Sequence, residues 1–404
     1  MIKMINLSIS LILVFIIVTS LGACREKKSV KPDYQWQTIK GFPKPAVPNN
    51  NAMTDAKVAL GRVIFYDENL SANQRQSCAS CHQQAFAFGE NIKRSIGSTG
   101  QHHRRNSPVL VNIAYNKTLT WAHDGLTTLE RQILLPMFAE SPIELGITGH
   151  EEEILARFKT DKYISLFHQA FAGSSNKPFT KQEVSYDLIV KALSSFVRSL
   201  ISLQSPFDQY AYANDDDAIS ASALRGMTLF FSERLECHHC HGGFNFTQST
   251  SHEKQLIDRR PFHNTGLYNI NLASINTDNF SSGSINSKNS KGGYPSDDTG
   301  LAEISLQPKD DGRFRAPTLR NIAVSAPYMH DGSIDSLTKV LDFYAAGGRN
   351  ITTGENKGDG RLNPLKSVFI KGFKMNAQDK LDLIAFLNTL TDPSFLTNPE
   401  FAKP

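Results

Sequence analysis

The sequence predicts a mainly α-helical fold that is built from two similar halves and has long loops. Two observations indicate this architecture. A run that ends in two closely spaced cysteines and a histidine occurs twice, about 160 residues apart. Apolar residues recur at helical spacing near the end of each half. A stretch rich in Ser, Asn and Gly at 271–300 shows little periodicity, and we expect it to be a surface loop without chemistry of its own.

The repeated run is the strongest sign of an internal duplication. "ALGRVIFYDENLSANQRQSCASCH" covers residues 59–82, and "ALRGMTLFFSERLECHHCH" covers residues 223–241. Both contain Ala-Leu, a nearby glycine and an apolar stretch that ends in aromatic residues before the cysteines. Self-similarity of this kind is typical of repeated structural units.

Two segments carry the apolar spacing of amphipathic helices. One closes the first half and the other lies near the end of the chain, where Pro393 is expected to stop the run. Between the halves, residues 205–220 are the predicted crossing. The apolar positions are Ile189, Ala192, Leu193, Phe196 and Leu200 in the first segment, and Leu383, Phe386, Leu387 and Leu390 in the second.

Composition and charge exclude some partners. A chain of 404 residues with 40% hydrophobic and 20% charged residues has enough apolar material for more than one core. The net charge of +4 and the lack of a dense basic stripe give no support for nucleic-acid binding.

Residues 1–24 have the features of an export signal. Lys3 precedes the apolar run "LSISLILVFIIVTSL", and small residues precede Cys24. "LGAC" at 21–24 resembles the lipobox of bacterial lipoproteins, in which the cysteine receives the lipid. An uncleaved apolar anchor and a plain secretory signal are the alternatives. We therefore expect a periplasmic protein of a Gram-negative-type bacterium, anchored to a membrane through Cys24, with 25–45 as a tether.

The remaining cysteines form two identical patterns. Of five cysteines, Cys24 belongs to the lipobox, which leaves two pairs. A disulfide within such a pair would close a very small loop, and a four-cysteine zinc site needs no histidine at the same place in both motifs. Cys-x-x-Cys-His is the attachment sequence of c-type haem, with the histidine as iron ligand. The attachment residues are Cys78, Cys81 and His82, and Cys237, Cys240 and His241.

These motifs complete the predicted architecture. Two cytochrome-c-like haem domains span 46–212 and 213–395, each with one covalent haem c, and 396–404 form a tail.

Further motifs give the sequence a family resemblance. "RRNSPVLVN" at 104–112, "HDG" at 123–125, "FRAPTLRNIAVSAPYMHDGS" at 314–333 and "LDFYAAGG" at 341–348 resemble the bacterial dihaem cytochrome c peroxidases, including the MauG-like branch. The resemblance covers roughly residues 45–395. It implies that His82 holds the iron that meets peroxide and that His241 holds the electron-transfer iron.

The resemblance also implies catalytic and structural residues. Gln132 and Glu144 match the distal glutamine and glutamate over the first haem, Glu144 after a two-residue insertion. Such a pair can orient peroxide and move its proton, whereas solvated surface residues are the alternative. A calcium ion between the domains is implied too, with ligands from the Asn106 side chain and the Ser325 and Pro327 carbonyls, a donor set that suits calcium.

Two positions depart from the family pattern. Ser98 stands where many members have an inhibitory histidine, and the nearby His102 and His103 are expected to be solvent-exposed loop residues. His123 replaces the tryptophan that usually precedes Asp-Gly. Trp121, two residues earlier, is either part of the electron path or a core aromatic residue.

The far side of the second haem distinguishes the branches of the family. Alignment on "APYMHDG" puts Tyr344 where peroxidases have a methionine ligand, and tyrosine is the ligand that MauG-like members use. Met329 is the alternative ligand, with Tyr344 as a core residue.

Together these features predict a cytochrome-c peroxidase. The enzyme reduces hydrogen peroxide to water with electrons from a small cytochrome c or a copper protein (a cupredoxin). The alternatives are MauG-like oxidation of protein side chains, a non-catalytic dihaem electron carrier, and a haem-binding sensor or scaffold. The sequence leaves open whether the protein is a homodimer.

Overall fold

Helices and long connecting segments dominate the chain, as predicted, and the strands are very short. The structure is a computed structural model that describes residues 34–36, 42–173, 177–253, 261–270 and 298–404. The predicted signal peptide with Cys24, most of the tether and residues 271–297 lie outside the described residues. None of the helices in the described ranges has the length and apolar character needed to cross a membrane.

The α-helices are numbered here in chain order. Most longer helices begin at a side-chain cap, such as Thr54, which accepts a hydrogen bond from the Lys57 amide. The described helices are α1 Asp55–Phe65, α2 Cys78–Cys81, α3 Leu129–Gln132, α4 Leu134–Phe138, α5 Glu151–Arg157, α6 Asp161–Phe171, α7 Tyr186–Ser199, α8 Pro206–Ala213, α9 Ala221–Phe230, α10 His238–His241, α11 Ala302–Ser305, α12 Leu337–Ala345, α13 Ala377–Asn388 and α14 Pro393–Thr397.

Two small antiparallel sheets fix loops of the second half. Strand β1 (Phe262–His263) pairs with β2 (Phe314–Arg315), and β3 (Asn350–Ile351) pairs with β4 (Gly358–Asp359). The first of these sheets carries His263 and Arg315 to the wall of a cavity described below.

The helix predicted to close the first half is α7. The Ser185 hydroxyl accepts a hydrogen bond from the Leu188 amide at its start, and its apolar face is buried. The helix lies so close to α1 that a Cβ on Gly61 would be 2.0 Å from the Ala192 carbonyl oxygen. Only glycine permits this approach of two backbones.

The second half repeats this packing between α9 and α13. A Cβ on Gly226 would lie 1.9 Å from the Asp382 carbonyl oxygen. The predicted helix near the end of the chain is therefore confirmed as α13. Pro393 occupies the first turn of the following α14, a position where its fixed φ and missing N–H are tolerated.

Each half also contains a triangle of phenylalanine rings. Phe65, Phe88 and Phe196 lie with ring centroids 5.1–6.3 Å apart. Phe230, Phe246 and Phe386 form the second triangle, with centroids 5.2–6.1 Å apart. In both triangles the rings come from the helix before the cysteines, the loop after the histidine and the closing helix. Tilted and edge-to-face arrangements of this kind are the preferred aromatic geometries.

The predicted crossing at 205–220 is partly helical. Ser205 and Asp208 form a capping box at the start of α8. The Asp208 carboxylate also pairs with Arg320 of the second half, at 2.8 and 2.9 Å, and both side chains are completely buried. The Arg320 guanidinium donates further hydrogen bonds to the Phe244 carbonyl. Removing one partner of this buried ion pair would strongly destabilise the fold, because the other charge would be left buried and unpaired.

The predicted tail at 396–404 packs against the first half. Phe395 and Phe401 are buried in the same core as Phe65 and Phe88. The Tyr66 hydroxyl donates a hydrogen bond to the Phe401 carbonyl, at 2.7 Å. Residues 36–404 form one unit of contacts, and the division into domains at 46–212 and 213–395 stays a prediction.

The close crossing of α9 and α13 gives a first testable prediction. Gly226→Ala should lower the free energy of unfolding by about 1–3 kcal/mol, because the added methyl group forces the two helices apart. The free energy is measured by denaturant unfolding of the holoprotein. Thr228→Ala, at an exposed position of the same helix, is the control and should change stability by less than about 0.5 kcal/mol. Equal stability of wild type and Gly226→Ala would contradict the described crossing.

Candidate functional site

The first Cys-x-x-Cys-His motif forms the short helix α2 and the residue after it. A capping box between Ser77 and Ser80 starts the helix. Cys78 and Cys81 are free thiols, and burial raises the pKa of each to about 12. The pair is therefore neither a disulfide nor an exposed, reactive thiolate pair.

The orientation of His82 is set by its Nδ1 atom. Nδ1 lies 2.9 Å from the Phe88 carbonyl oxygen. Because a carbonyl only accepts, Nδ1 carries the proton, and the lone pair of Nε2 is left for another partner. Burial lowers the pKa of His82 to about 4, so the imidazole is neutral at physiological pH. A neutral imidazole with an anchored Nδ1 is the form that binds a metal.

The second motif has the same arrangement. Nδ1 of His241 lies 3.2 Å from the Phe246 carbonyl oxygen and 3.1 Å from that of Pro317. Burial lowers the pKa of His241 to about 4 and raises the pKa of the Cys237 thiol to about 12. The cysteines of the two motifs do not converge into one metal-binding group within the described residues. The structure thus gives no support for the four-cysteine zinc alternative.

A large cavity opens beside the second motif. The cavity has a volume of about 200 Å³ and is partly open to solvent. Cys237, Cys240 and His241 line it, and Tyr344 of α12 faces the same space. Burial, and then the charges of the two thiols, raise the pKa of Tyr344 far above its usual value. The phenol therefore stays protonated unless a cation binds it.

Two polar side chains in this cavity wall each have one buried nitrogen atom without a hydrogen-bond partner in the described part of the chain. Nη1 of Arg315 and Nε2 of His263 are buried and make no hydrogen bond within the described ranges. Burial lowers the pKa of Arg315 to about 10. The Arg315 guanidinium donates to the Thr120 carbonyl through Nε, but leaving its buried Nη1 without a partner is expensive, so an anionic group in the cavity would be strongly stabilised. Sequence reasoning missed both residues, because His263 lies in no recognised motif and the family motif at 314–333 did not single out Arg315.

Glu144 lies near the first motif. The carboxylate is close enough to raise the pKa values of both Cys78 and Cys81. Burial raises the pKa of Glu144 itself to about 7. A carboxyl group that titrates near neutral pH can both accept and return a proton.

The expectation for His103 is wrong, whereas the expectation for His102 is confirmed. His102 is exposed, but the His103 side chain is only 16% exposed and its Nδ1 lies 3.6 Å from Glu144 Oε1. The loop folds inward because the Ser98 amide donates to the Glu144 carbonyl and the His103 amide donates to the Ser95 carbonyl. This backbone pairing depends on residues about 45 positions apart, so the local sequence gave no sign of it.

Gln132 ends helix α3, and its carbonyl oxygen Oε1 is buried. This oxygen has no hydrogen-bond partner among the residues that the structure describes. The observation disfavours a fully solvated glutamine and leaves the amide available to a bound molecule.

The predicted calcium ligands all line the cavity beside the second motif. Asn106, Ser325 and Pro327 all contribute to its wall. The Asn106 amide nitrogen donates to the Ile92 carbonyl at 3.0 Å, so its Oδ1 points away from that contact. Trp121 lines the same cavity, packs in a buried apolar cluster and donates from Nε1 to the Asn106 carbonyl at 2.7 Å.

The sequence matches known proteins over most of its length. The sequence model of the family described as di-haem cytochrome c peroxidase matches residues 55–217. The chain is 31% identical over 352 residues to the cytochrome-c peroxidase IdrP1 of Pseudomonas sp. (strain SCT), covering 87% of this chain and 84% of that protein. It is 30% identical over 357 residues to the methylamine utilization protein MauG of Methylorubrum extorquens, covering 87% and 83%.

Solved structures show the same fold. A MauG-like protein associated with microbial copper homeostasis is 42% identical, with a TM-score of 0.82 over 92% of this chain and 99% of that one. The diheme peroxidase BthA from Burkholderia thailandensis shares the fold at 21% identity, with a TM-score of 0.62 over 92% of this chain and 96% of that one.

The two motifs give a prediction for haem content. The wild-type protein should keep two haems per chain after acid-acetone extraction, because each is held by two thioether bonds. Cys237→Ala with Cys240→Ala should leave one, and the matched pair Cys78→Ala with Cys81→Ala should also leave one. Haem per chain is measured as the pyridine haemochrome. Complete extraction of haem from the wild type would contradict the assignment.

Proposed function

Because the chain belongs to the di-haem cytochrome c peroxidase family, we propose that it is a hydrogen-peroxide-dependent dihaem oxidoreductase of the MauG-like branch. Its substrate beside peroxide is an oxidisable side chain of a partner protein. The main observation behind this proposal is that Tyr344 lines the cavity beside the second motif. When bound, the two haems c supply peroxide reduction at one iron and electron transfer at the other.

The residues of both motifs fit a covalent haem c. Each half offers two free thiols and one neutral imidazole whose Nδ1 is anchored to a carbonyl. Arg315, with its unpaired Nη1, would meet the negative charge of a haem propionate. The matching glycine contacts and phenylalanine triangles support two cytochrome-c-like haem domains that arose by duplication.

Tyr344 favours the MauG-like branch over an ordinary peroxidase. Its phenol lies close enough to Cys237 and Cys240 for their charges to act on it. A tyrosinate is a hard anionic ligand that stabilises oxidised iron, whereas methionine raises the reduction potential. The solved MauG-like protein that is 42% identical supports the same branch. Met329, which lines the same cavity, remains the alternative ligand.

A peroxidase supplied with electrons by a small cytochrome c or a copper protein is the second candidate function. The 31% identity to a cytochrome-c peroxidase supports it, and Trp121 in the cavity wall would then lie on the electron path. In both candidates the first haem site handles peroxide.

The proton steps at the first site fall to Glu144. Its carboxylate accepts the proton from the peroxide oxygen nearest His82 and returns it to the departing oxygen. The Gln132 amide, with its buried free oxygen, holds the peroxide O–H. His103, 3.6 Å from Glu144, acts as a positioning residue that limits where the carboxyl group can turn. Ser98 provides no imidazole at the position of the family's inhibitory histidine, so this residue itself would leave the site open to peroxide.

A calcium ion and an export route complete the proposal. Asn106, Ser325 and Pro327 line the same cavity and offer oxygen ligands, which supports a calcium ion there. The lipobox at Cys24 supports a periplasmic protein anchored through lipid.

Glu144 gives a prediction for the pH dependence of peroxide turnover. Since the pKa of Glu144 is about 7, the basic carboxylate is lost as the pH falls through 7, and kcat/KM for peroxide should fall with it. Glu144→Gln should lower kcat/KM by about 10²–10⁴-fold and remove this acid limb. Glu140→Gln, an exposed neighbour, should change neither. An unchanged pH profile in Glu144→Gln would exclude Glu144 as the base.

Tyr344 gives a prediction for the second haem. In the wild type this haem should stay ferric in the presence of ascorbate, because the anionic ligand stabilises the ferric state. Tyr344→Phe should make it reducible and change its ferric absorption spectrum. Tyr328→Phe is the control, since Tyr328 lines the same cavity but donates its hydroxyl proton to the Ile322 carbonyl. A wild-type spectrum with the charge-transfer band of methionine-ligated ferric haem would identify Met329 and favour the second candidate function.

A further inference from the structure

A group of metal-ligand atoms lies on the surface beside the second Cys-x-x-Cys-His motif. His238 Nε2 is 3.5 Å from Glu233 Oε1, and His239 Nε2 is 3.4 Å from Glu233 Oε2. One ligand atom from each of the three residues lies within 4.8 Å of the others. Oε2 of Glu236 lies 3.0 Å from His239 Nε2.

The spacing of these atoms suits a shared cation better than direct hydrogen bonds. A charge-assisted hydrogen bond between imidazole and carboxylate is about 2.7–2.9 Å long. Around a tetrahedral metal with bonds of about 2.0–2.1 Å, neighbouring ligand atoms lie roughly 3.3–3.4 Å apart. The two contacts of Glu233, at 3.4 and 3.5 Å, match the second value.

Packing holds the two imidazoles in place, and His238 has no competing partner. The His239 ring stacks on Phe369 with centroids 4.4 Å apart and an angle of 16°. The His238 and His239 centroids are 4.2 Å apart. Nδ1 of His238 is buried and has no hydrogen-bond partner in the described part of the chain. The side chains of His238 and His239 are only 24% and 29% exposed, so the imidazoles need little further ordering, whereas Glu233 is 78% exposed and becomes ordered when it binds the ion.

We propose that Glu233, His238 and His239 bind one divalent cation of the Zn²⁺ or Cu²⁺ class, with Glu236 as an additional oxygen ligand. Two imidazoles and a carboxylate select late first-row metals over Ca²⁺ and Mg²⁺, which prefer oxygen ligands alone. This binding does not depend on the proposed function. His238 and His239 occupy the variable positions of the motif and are not needed for haem attachment.

The position of the ion has a consequence for the second haem. Helix α10 (His238–His241) carries the two proposed histidine ligands together with Cys240 and His241. A bound dication therefore adds positive charge directly beside the second haem, and nearby positive charge raises a reduction potential. Metal loading would thus make the second haem easier to reduce.

Zinc binding to the holoprotein tests this site. The protein is stripped with a chelator, transferred to buffer with excess Ca²⁺ to fill sites built from oxygen ligands, and titrated with Zn²⁺ by calorimetry. Wild type should bind one Zn²⁺ per chain. Glu233→Gln, and His238→Gln combined with His239→Gln, should each weaken binding by about 10-fold or more, since even partners outside the ligand shell contribute that much.

Two controls distinguish binding at this site from binding elsewhere on the surface and from loss of the fold. Glu153→Gln is the matched control, because Glu153 pairs with a single histidine, His150, at 3.7 Å on the surface. The Glu153→Gln variant should bind Zn²⁺ as the wild type does. Haem per chain should be unchanged in every variant, which shows that the fold and the motif are intact. Absence of Zn²⁺ binding in wild type, or undiminished binding in either site variant, would overturn the proposal.

Discussion

The hydrogen bond from each motif histidine to a phenylalanine carbonyl connects the core of the protein to its chemistry. His82 binds the Phe88 carbonyl, and His241 binds that of Phe246. Both phenylalanines have positive φ values, 58° and 48°, an uncommon conformation for a bulky side chain. Burial of each ring in a phenylalanine triangle offsets that cost and turns the carbonyl towards the imidazole. Core packing thereby fixes which histidine nitrogen remains available as a ligand.

Burial also shifts the pKa values of the ionisable side chains at the two sites, with a different result at each. In the first, burial raises the pKa of Glu144 to about 7 and lowers that of His103, so burial favours the uncharged forms of two side chains that face each other. At the second site, the buried Tyr344 phenol would ionise only beside a bound cation, and the free Nη1 of Arg315 would bind an anion. A ferric iron with its propionates would supply both. The first site is therefore suited to proton transfer and the second to holding charge.

Local patterns predicted much of this molecule, whereas long-range packing produced the rest. The helices α7 and α13 were visible as apolar spacing, and the motif histidines were fixed by their place after the cysteines. His103 could not be placed, because its loop turns inward partly through the backbone bond between Ser98 and the distant Glu144. Arg315 lies in the family motif at 314–333, but the motif did not single it out, since its role follows from burial in a wall that residues from both halves build.

The packing of the last residues makes the order of synthesis matter. Phe395 and Phe401 complete a core whose other rings, Phe65 and Phe88, are made more than 300 residues earlier. The N-terminal half therefore cannot complete its core until residues 395–401 have been synthesised, so it cannot mature independently of the second half. Replacing Phe395 and Phe401 with alanine would open the core around the first Cys-x-x-Cys-His motif, although both residues lie more than 300 positions further along the chain.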